Sequence, residues 1–240
     1  MIYTMTDEQM QAFENNLRQE EFSEGTIQKY TSVLRAFFEF LPADKVITKE
    51  RLLAWKNQLI SNGLAASTIN VMISAVNSFF NFLKWIDLQI KQLKMQRRIF
   101  RDKERELTKE EYMRLLNAAK EAGNFRMYYL MQTLGGTGIR ISELRFITVE
   151  SLQEGSVTVD CKGKQRTVLL SEPLRKALRT YCKEANITSG PIFVTKTGKP
   201  MDRSNIWKEM QKLCAAAHVE SSKVFPHNFR HLFAVTFYKL

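Results

Sequence analysis

Two arginines and a histidine from distant segments carry the chemistry this sequence offers most directly, a clamp for a phosphate. Arg140 lies in the run Thr137-Gly138-Ile139-Arg140-Ile141-Ser142-Glu143-Leu144-Arg145, and His227 and Arg230 lie in Pro226-His227-Asn228-Phe229-Arg230-His231. Arginine stays charged and grips two oxygens at once, which lysine cannot imitate. The Gly-Gly-Thr-Gly run at residues 135–138 reads as a turn that frees the backbone. Arg140 then opens a new helix, its guanidinium beside the N-terminal backbone donors where an anion would sit. Pro226 opens another helix, and the three-residue spacing of His227 and Arg230 puts both on one face.

The elements that must position these residues fall into two groups. Residues 1–90 read as a small helical domain. Thr6 caps a first helix with Met10, Phe13 and Leu17 on its apolar face, and Ser23 opens a second that stops at Pro42. Thr48 caps a third helix, closed by Asn62-Gly63, and a fourth runs over about residues 67–86 with Ile69, Met72, Val76, Phe79, Phe80 and Leu83. These stripes read as core. Residues 106–240 read as a second domain. Thr108 caps its first helix, an apolar helix over about residues 125–134 leads to the glycine run, and alternation over residues 156–160 and 167–170 predicts a hairpin with Lys162 at its tip. Pro173 starts a helix, residues 192–194 suggest a short third strand, and residues 202–217 are helical again.

Residues 91–105 break the pattern, with seven basic side chains against two acids and few apolar anchors. They read as an interdomain linker, with a basic strap across a DNA backbone as the sharper alternative.

Charge narrows the partner. The chain of 240 residues carries a net charge of +11, but residues 1–90 hold 8 Lys and Arg against 10 Asp and Glu, while residues 91–240 hold 28 against 15. The half with the arginines is the basic half, which favours a polyanion, with nucleic acid ahead of membrane. No apolar run approaches a membrane span and the N-terminus is acidic, so a cytoplasmic protein is expected. Cys161, Cys182 and Cys214 stand at no metal-ligand spacing and read as buried thiols. His227 and His231 are four apart, but Asn228 stands where a metalloprotease would carry its glutamate, so no metal site is expected, and His218 is assigned no role.

These residues resemble the tyrosine recombinases of the phage integrase type over essentially the whole chain. Residues 137–144 match the first arginine box of that family, Cys161-Lys162-Gly163-Lys164-x-Arg166 is similar to its lysine-bearing hairpin, and Pro226-His227-x-x-Arg230-His231 is similar to its second box. The N-terminal helices resemble its SAM-like core-binding domain. The resemblance implies a mainly α core-binding domain followed by an α+β catalytic domain, mostly helical with a small antiparallel sheet. It implies strand cleavage by a tyrosine that becomes linked to the DNA phosphate, without metal or cofactor. Arg140 and Arg230 would neutralise the phosphate, His227 would hydrogen-bond it, and Lys162 would protonate the departing sugar oxygen, with Lys164 as the alternative acid. Glu143 would hold Arg140, with His231 in a supporting place. Double-stranded DNA is the implied partner, contacted by Thr26, Lys29, Ser67 and Asn70 in the first domain and by Arg97, Arg98 and Arg101 in the linker.

In the family the tyrosine follows the second box after a further helix and a glycine-histidine motif, whereas this sequence stops ten residues after Arg230. Tyr238 is the nearest tyrosine, but on a continuous helix it lies about 12 Å along the axis and about 80° around from Arg230. The expectation is therefore a recombinase chain that does not cut alone, that is a monomer when free, and that joins further protomers, a tetrameric synapse in the complete enzyme, on DNA. The alternative is a DNA-binding remnant that no longer cuts. A type IB topoisomerase, with similar active-site residue types, is a distant third.

Overall fold

The computed structural model describes residues 2–95, 103–161, 164–195 and 197–238. The chain forms two compact units, Met1–Ile99 and Phe100–Leu240.

In the first unit, β1 (Tyr3–Thr4) is followed by α1 (Asp7–Gln19), α2 (Glu24–Phe40), β2 (Val46–Ile47), α3 (Lys49–Ser61), α4 (Ala66–Phe82) and a 3₁₀ turn, Ile86–Leu88. The helices begin where local chemistry supplies acceptors for their first amides. Thr6 and Gln9 form a reciprocal capping box, and Thr48 accepts from the Arg51 amide. Four fully buried phenylalanines, Phe13, Phe37, Phe79 and Phe80, fill the centre, with Phe13 edge-on to Phe79 at 5.5 Å and Phe37 against Trp55 at 5.0 Å. Each such ring contributes about 1.5–3 kcal/mol through burial alone. Two features differ from the sequence expectation. The fourth helix ends at Phe82, because Lys84 turns the chain at φ +61° and Trp85 folds back onto Phe79, Phe80 and Tyr3. The two-residue strands β1 and β2 pair antiparallel, with Tyr3 opposite Ile47, and are too short to show any alternation.

The segment after α4 also differs, since its first part is tied down rather than free. Leu88 and Ile90 are buried in the helical core. The Asn77 amide accepts from the Ile90 N–H and donates to the Ile90 carbonyl, at 3.1 and 2.9 Å, and Asn70 does the same for Leu93 at 2.7 and 3.0 Å. Lys49 donates to the carbonyls of Asp87 and Gln89, and Lys56 to that of Lys91. Side-chain amides one heptad apart thus serve as the strand partner of an extended segment, which no hydropathy period discloses. Asn70→Ala and Asn77→Ala are each expected to cost about 1–3 kcal/mol, because two backbone groups lose their partners at once. Amide exchange at positions 90 and 93 should rise accordingly; unchanged protection would show that burial of Leu88 and Ile90 suffices.

The second unit contains α5 (Lys109–Glu121), α6 (Phe125–Thr137), a 3₁₀ segment (Ile141–Phe146), α7 (Ser151–Glu154), β3 (Ser156–Cys161), β4 (Lys164–Leu169), α8 (Glu172–Glu184), α9 (Arg203–Leu213), a 3₁₀ turn (Ser221–Lys223) and α10 (Pro226–Tyr238). Helix α6 runs through the middle, packed by α5, α8, α9 and α10. Its Met127, Leu130, Met131 and Leu134 are wholly buried beside Leu115, Leu178, Met210 and Phe229. Strands β3 and β4 pair antiparallel from Ser156↔Leu169 to Cys161↔Lys164. In place of the expected third strand there are single bridges, Thr148↔Pro191 and Val194↔Pro200, since proline offers no amide to extend a ladder. Cys182 and Cys214 are buried free thiols, and burial pushes both thiols up from their ordinary pKa. Among the described residues no helix is long and apolar enough to cross a membrane.

The glycine run is not the turn that its composition suggests. Gly135 and Gly136 lie inside α6, and only Gly138 turns the chain, at φ +61° as the left-handed cap. Gly135 serves close packing instead: a Cβ there would stand 2.9 Å from the Tyr112 ring.

Candidate active site

Three consecutive steps of the chain place Arg140. Gly138 reverses α6, Ile139 anchors in the core at 1% exposure, and Arg140 caps the 3₁₀ segment that follows. That segment is 3₁₀ rather than the expected α-helix. Glu143, one turn on, is buried beneath the site at 2% exposure. Its Oε2 accepts the Arg140 backbone N–H at 2.9 Å and its Oε1 accepts Arg140 Nη1 at 2.8 Å. A second cation reaches the same carboxylate from β4, where Arg166 donates Nη2 to Oε2 at 2.5 Å.

Helix α10 brings the other box to this point. Arg230 donates Nη1 to the Gly138 carbonyl at 2.6 Å, a contact across 92 residues of sequence. Arg140, His227 and Arg230 line one cavity of ≈310 Å³, together with Ser142, Arg145 and Arg203. Arg203 is the first residue of α9, whose N-terminus is capped by Asp202. Pro226 also lines the cavity, so the helix start that presents His227 belongs to its wall.

Charge in the site is unbalanced toward the positive. Burial, then the neighbouring charges of Arg140 and Arg166, pull the Arg230 guanidinium down from its ordinary value, opposed by Glu143. Burial on its own would raise the Glu143 carboxyl, but the Arg140 amide and side chain and the Arg166 guanidinium outweigh it and hold the group below its usual range. Glu143 is therefore a carboxylate at neutral pH that offsets Arg140 and Arg166, and Asp202 adds an acid to a cavity wall that also carries Arg140, Arg145, Arg203 and Arg230. Fixed donors with excess positive charge, partly desolvated, are chemically suited to an anion with several oxygens, such as a phosphoryl group.

The remaining predicted residues fall as follows. His231 Nε2 lies 3.1 Å from Glu106 Oε1 and does not line the cavity. Asn228 is buried and donates to the carbonyls of Arg105 and Lys223, which accounts for an amide at that position. Lys29 and Ser67 are exposed and Thr26 half-buried, its hydroxyl 2.9 Å from that of Ser23. The Asn70 amide is occupied by the Leu93 backbone, leaving it poorly placed to read DNA. Lys162, Arg97, Arg98 and Arg101 lie outside the described residues. Sequence reasoning missed the pairing of Arg166 with Glu143 and the places of Arg145 and Arg203 on the cavity wall. Arg166 reaches Glu143 from a strand 23 residues away in sequence, and nothing in the spacing of Arg203 points to the site. Among the described residues no group of three or more His, Cys, Asp or Glu side chains is arranged to hold a metal.

Residues 105–239 match the Phage integrase family, and residues 10–86 match the Phage integrase, N-terminal SAM-like domain. The tyrosine recombinase XerC of Caldanaerobacter subterraneus subsp. tengcongensis is 31% identical over 138 residues, covering 55% of this chain and 39% of that protein. The tyrosine recombinase XerD of Staphylococcus saprophyticus is 34% identical over 127 residues, covering 49% of this chain and 42% of that protein. The matches thus span about four tenths of the length of these curated relatives. In fold, the chain is similar to a lambda integrase dimer bound to a COC′ core site, with a TM-score of 0.78 at 18% identity, covering 99% of this chain and 71% of that one.

Proposed function

The chain belongs to the phage integrase family, and from that premise we propose that it is a site-specific DNA recombinase that cuts and rejoins strands through a phosphotyrosyl intermediate. The observation that carries this reading is the convergence of Arg140, His227 and Arg230 on one cavity above a buried glutamate. Arg140 and Arg230 neutralise the non-bridging oxygens of the scissile phosphate as a tyrosine oxygen attacks phosphorus. His227 hydrogen-bonds the same phosphate and assists proton transfer. Lys162, or Lys164 in its place, gives a proton to the departing sugar oxygen, completing an exchange of one phosphodiester bond for another that needs no external energy source. The protein acts on double-stranded DNA in the cytoplasm. Its charge of +11 keeps free copies apart as monomers, and DNA gathers further protomers.

Among the described residues no tyrosine lines the cavity. Tyr238 is the last residue of α10, eight beyond Arg230 and so about 12 Å further along the helix axis. The 240-residue chain is accordingly expected to bind its site and to form no covalent adduct alone. Footprinting on its flanking genomic DNA identifies the site, and a nicked duplex carrying that site traps the phosphotyrosyl link. An adduct abolished by Tyr238→Phe would overturn this assignment. An adduct that forms when a further tyrosine-bearing segment or protomer is supplied would support it.

Residues 91–105 are proposed to follow the DNA backbone. Replacing Arg97, Arg98 and Arg101 together by glutamine should reduce the slope of log affinity against log salt by about 2.7, three phosphate contacts' worth of counterion release. An unchanged slope removes these residues from the interface.

A further inference from the structure

The three arginines around Glu143 do not have equal access to the cavity. Arg140 and Arg230 line it, whereas Arg166 does not and spends a terminal nitrogen on the buried carboxylate. Glu143 Oε2 serves two donors, the Arg140 amide and Arg166, while Oε1 takes Arg140 Nη1. We propose that Arg166 is a positioning residue for the phosphate site: it neutralises Glu143 from below, so that the carboxylate can fix Arg140 without cancelling its charge toward the anion. This inference rests on the reading of the cavity as a phosphate site.

The physical reason is a competition for one buried carboxylate. At 2% exposure Glu143 has little water to share its charge with, so its whole field falls on the cations it touches. With all three arginines present, the cluster of Arg140, Arg166, Arg230 and Glu143 keeps a surplus of two positive charges. Without Arg166 the surplus halves, and Glu143 draws Arg140 into a closer pair directed away from the cavity. The Arg166 charge also reaches Arg230, whose guanidinium feels it directly. Arg166 stands in β4 opposite Val159, which is fully buried in β3, so the strand pair holds it in register. Strand β4 thereby sets the charge balance under Arg140.

The test titrates inorganic phosphate into the full chain and four variants, Arg140→Ala, Arg230→Ala, Arg166→Met and Arg166→Lys, by calorimetry, with arginine Nε–H resonances recorded alongside. Methionine keeps the packing volume without the charge, and lysine keeps the charge without the fork. Arg166→Met is expected to weaken phosphate about tenfold, the size expected for one unit charge several ångströms from a partly buried anion. Arg166→Lys should stay within about threefold of the unaltered protein, because the lysine charge still offsets Glu143. The Arg140 Nε–H resonance should shift in Arg166→Met before phosphate is added and hold its place in Arg166→Lys. Should Arg166→Met fail to fold, Arg166→Gln replaces it with the same expected loss. Unchanged affinity in the neutral variant, or equal losses in the neutral and lysine variants, overturns the role of Arg166 while leaving the phosphate site intact if Arg140→Ala and Arg230→Ala bind poorly. If the unaltered protein binds no phosphate, or those two alanine variants bind it normally, the phosphate reading itself falls.

Discussion

Replacing Arg140 or Arg230 by alanine is expected to slow strand cleavage about 10³-fold or more in any assembly of this chain that cuts DNA, while most of the affinity for the site remains. Removing a single pre-placed donor from a developing oxyanion costs about 10²–10³ in rate, and a guanidinium in phosphoryl transfer costs about 10³–10⁵. Affinity should change far less, since each arginine is one phosphate contact among many and its loss lowers the salt slope by about 0.9. Arg140→Lys is expected to fall between alanine and arginine, because the charge is kept and the two-point grip is lost. Single-turnover cleavage of the nicked duplex measures the first effect, and a salt series on the uncut duplex measures the second. A folded Arg230→Ala protein that lost DNA binding altogether would make this arginine a docking residue.

Gly138→Ala is expected to destabilise the second unit by about 2–4 kcal/mol, combining the left-handed backbone penalty with a steric clash against Phe233. At φ +61°, an added Cβ would clash with the ring of Phe233, so that either this half-buried side chain or α10 itself must shift. A shift of α10 reaches the active site at once, because the Gly138 carbonyl is the acceptor for Arg230. Gly25 supplies the contrast. It lies in α2 with nothing within 4 Å of an added Cβ, so Gly25→Ala should stabilise the first unit by about 0.5–1 kcal/mol. Denaturant unfolding followed by hydrogen exchange resolves the two units separately, as their independent cores require. Equal stability of Gly138→Ala and the unaltered protein would mean that the Phe233 ring moves aside at little cost.

The candidate site was legible in the sequence to different depths. Arg140, His227 and Arg230 could be named because their residue types are few and their spacings on helices put side chains on shared faces. The hairpin of β3 and β4 was legible through alternation. Glu143 was expected as the partner of Arg140 through the family resemblance, but its burial and its second arginine were not legible, because Arg166 approaches from a strand 23 residues away. Asn70 shows a different limit. It is a polar residue on a helix expected to face DNA, yet its amide holds the backbone at Leu93, and a sequence does not distinguish a side chain that bonds solvent from one that bonds its own chain.

What the sequence determined by itself was what short-range chemistry decides. Thr6, Thr48, Thr108 and Asp202 begin helices because each carries an oxygen within reach of an amide three residues on. Pro226 begins α10 because its ring already holds a helical φ and lacks an N–H that the first turn cannot use. Tertiary structure decided the matters in which local preference is weak or divided. Gly135 and Gly136 favour a turn by composition and instead continue α6, since the packing of Tyr112 against a bare Cα offsets the propensity lost. Arg140 and Arg230 meet because α6 and α10 bury their apolar faces against each other, and the bond from Arg230 to the Gly138 carbonyl exists only once that burial has covered the entropy of closing 92 residues of chain.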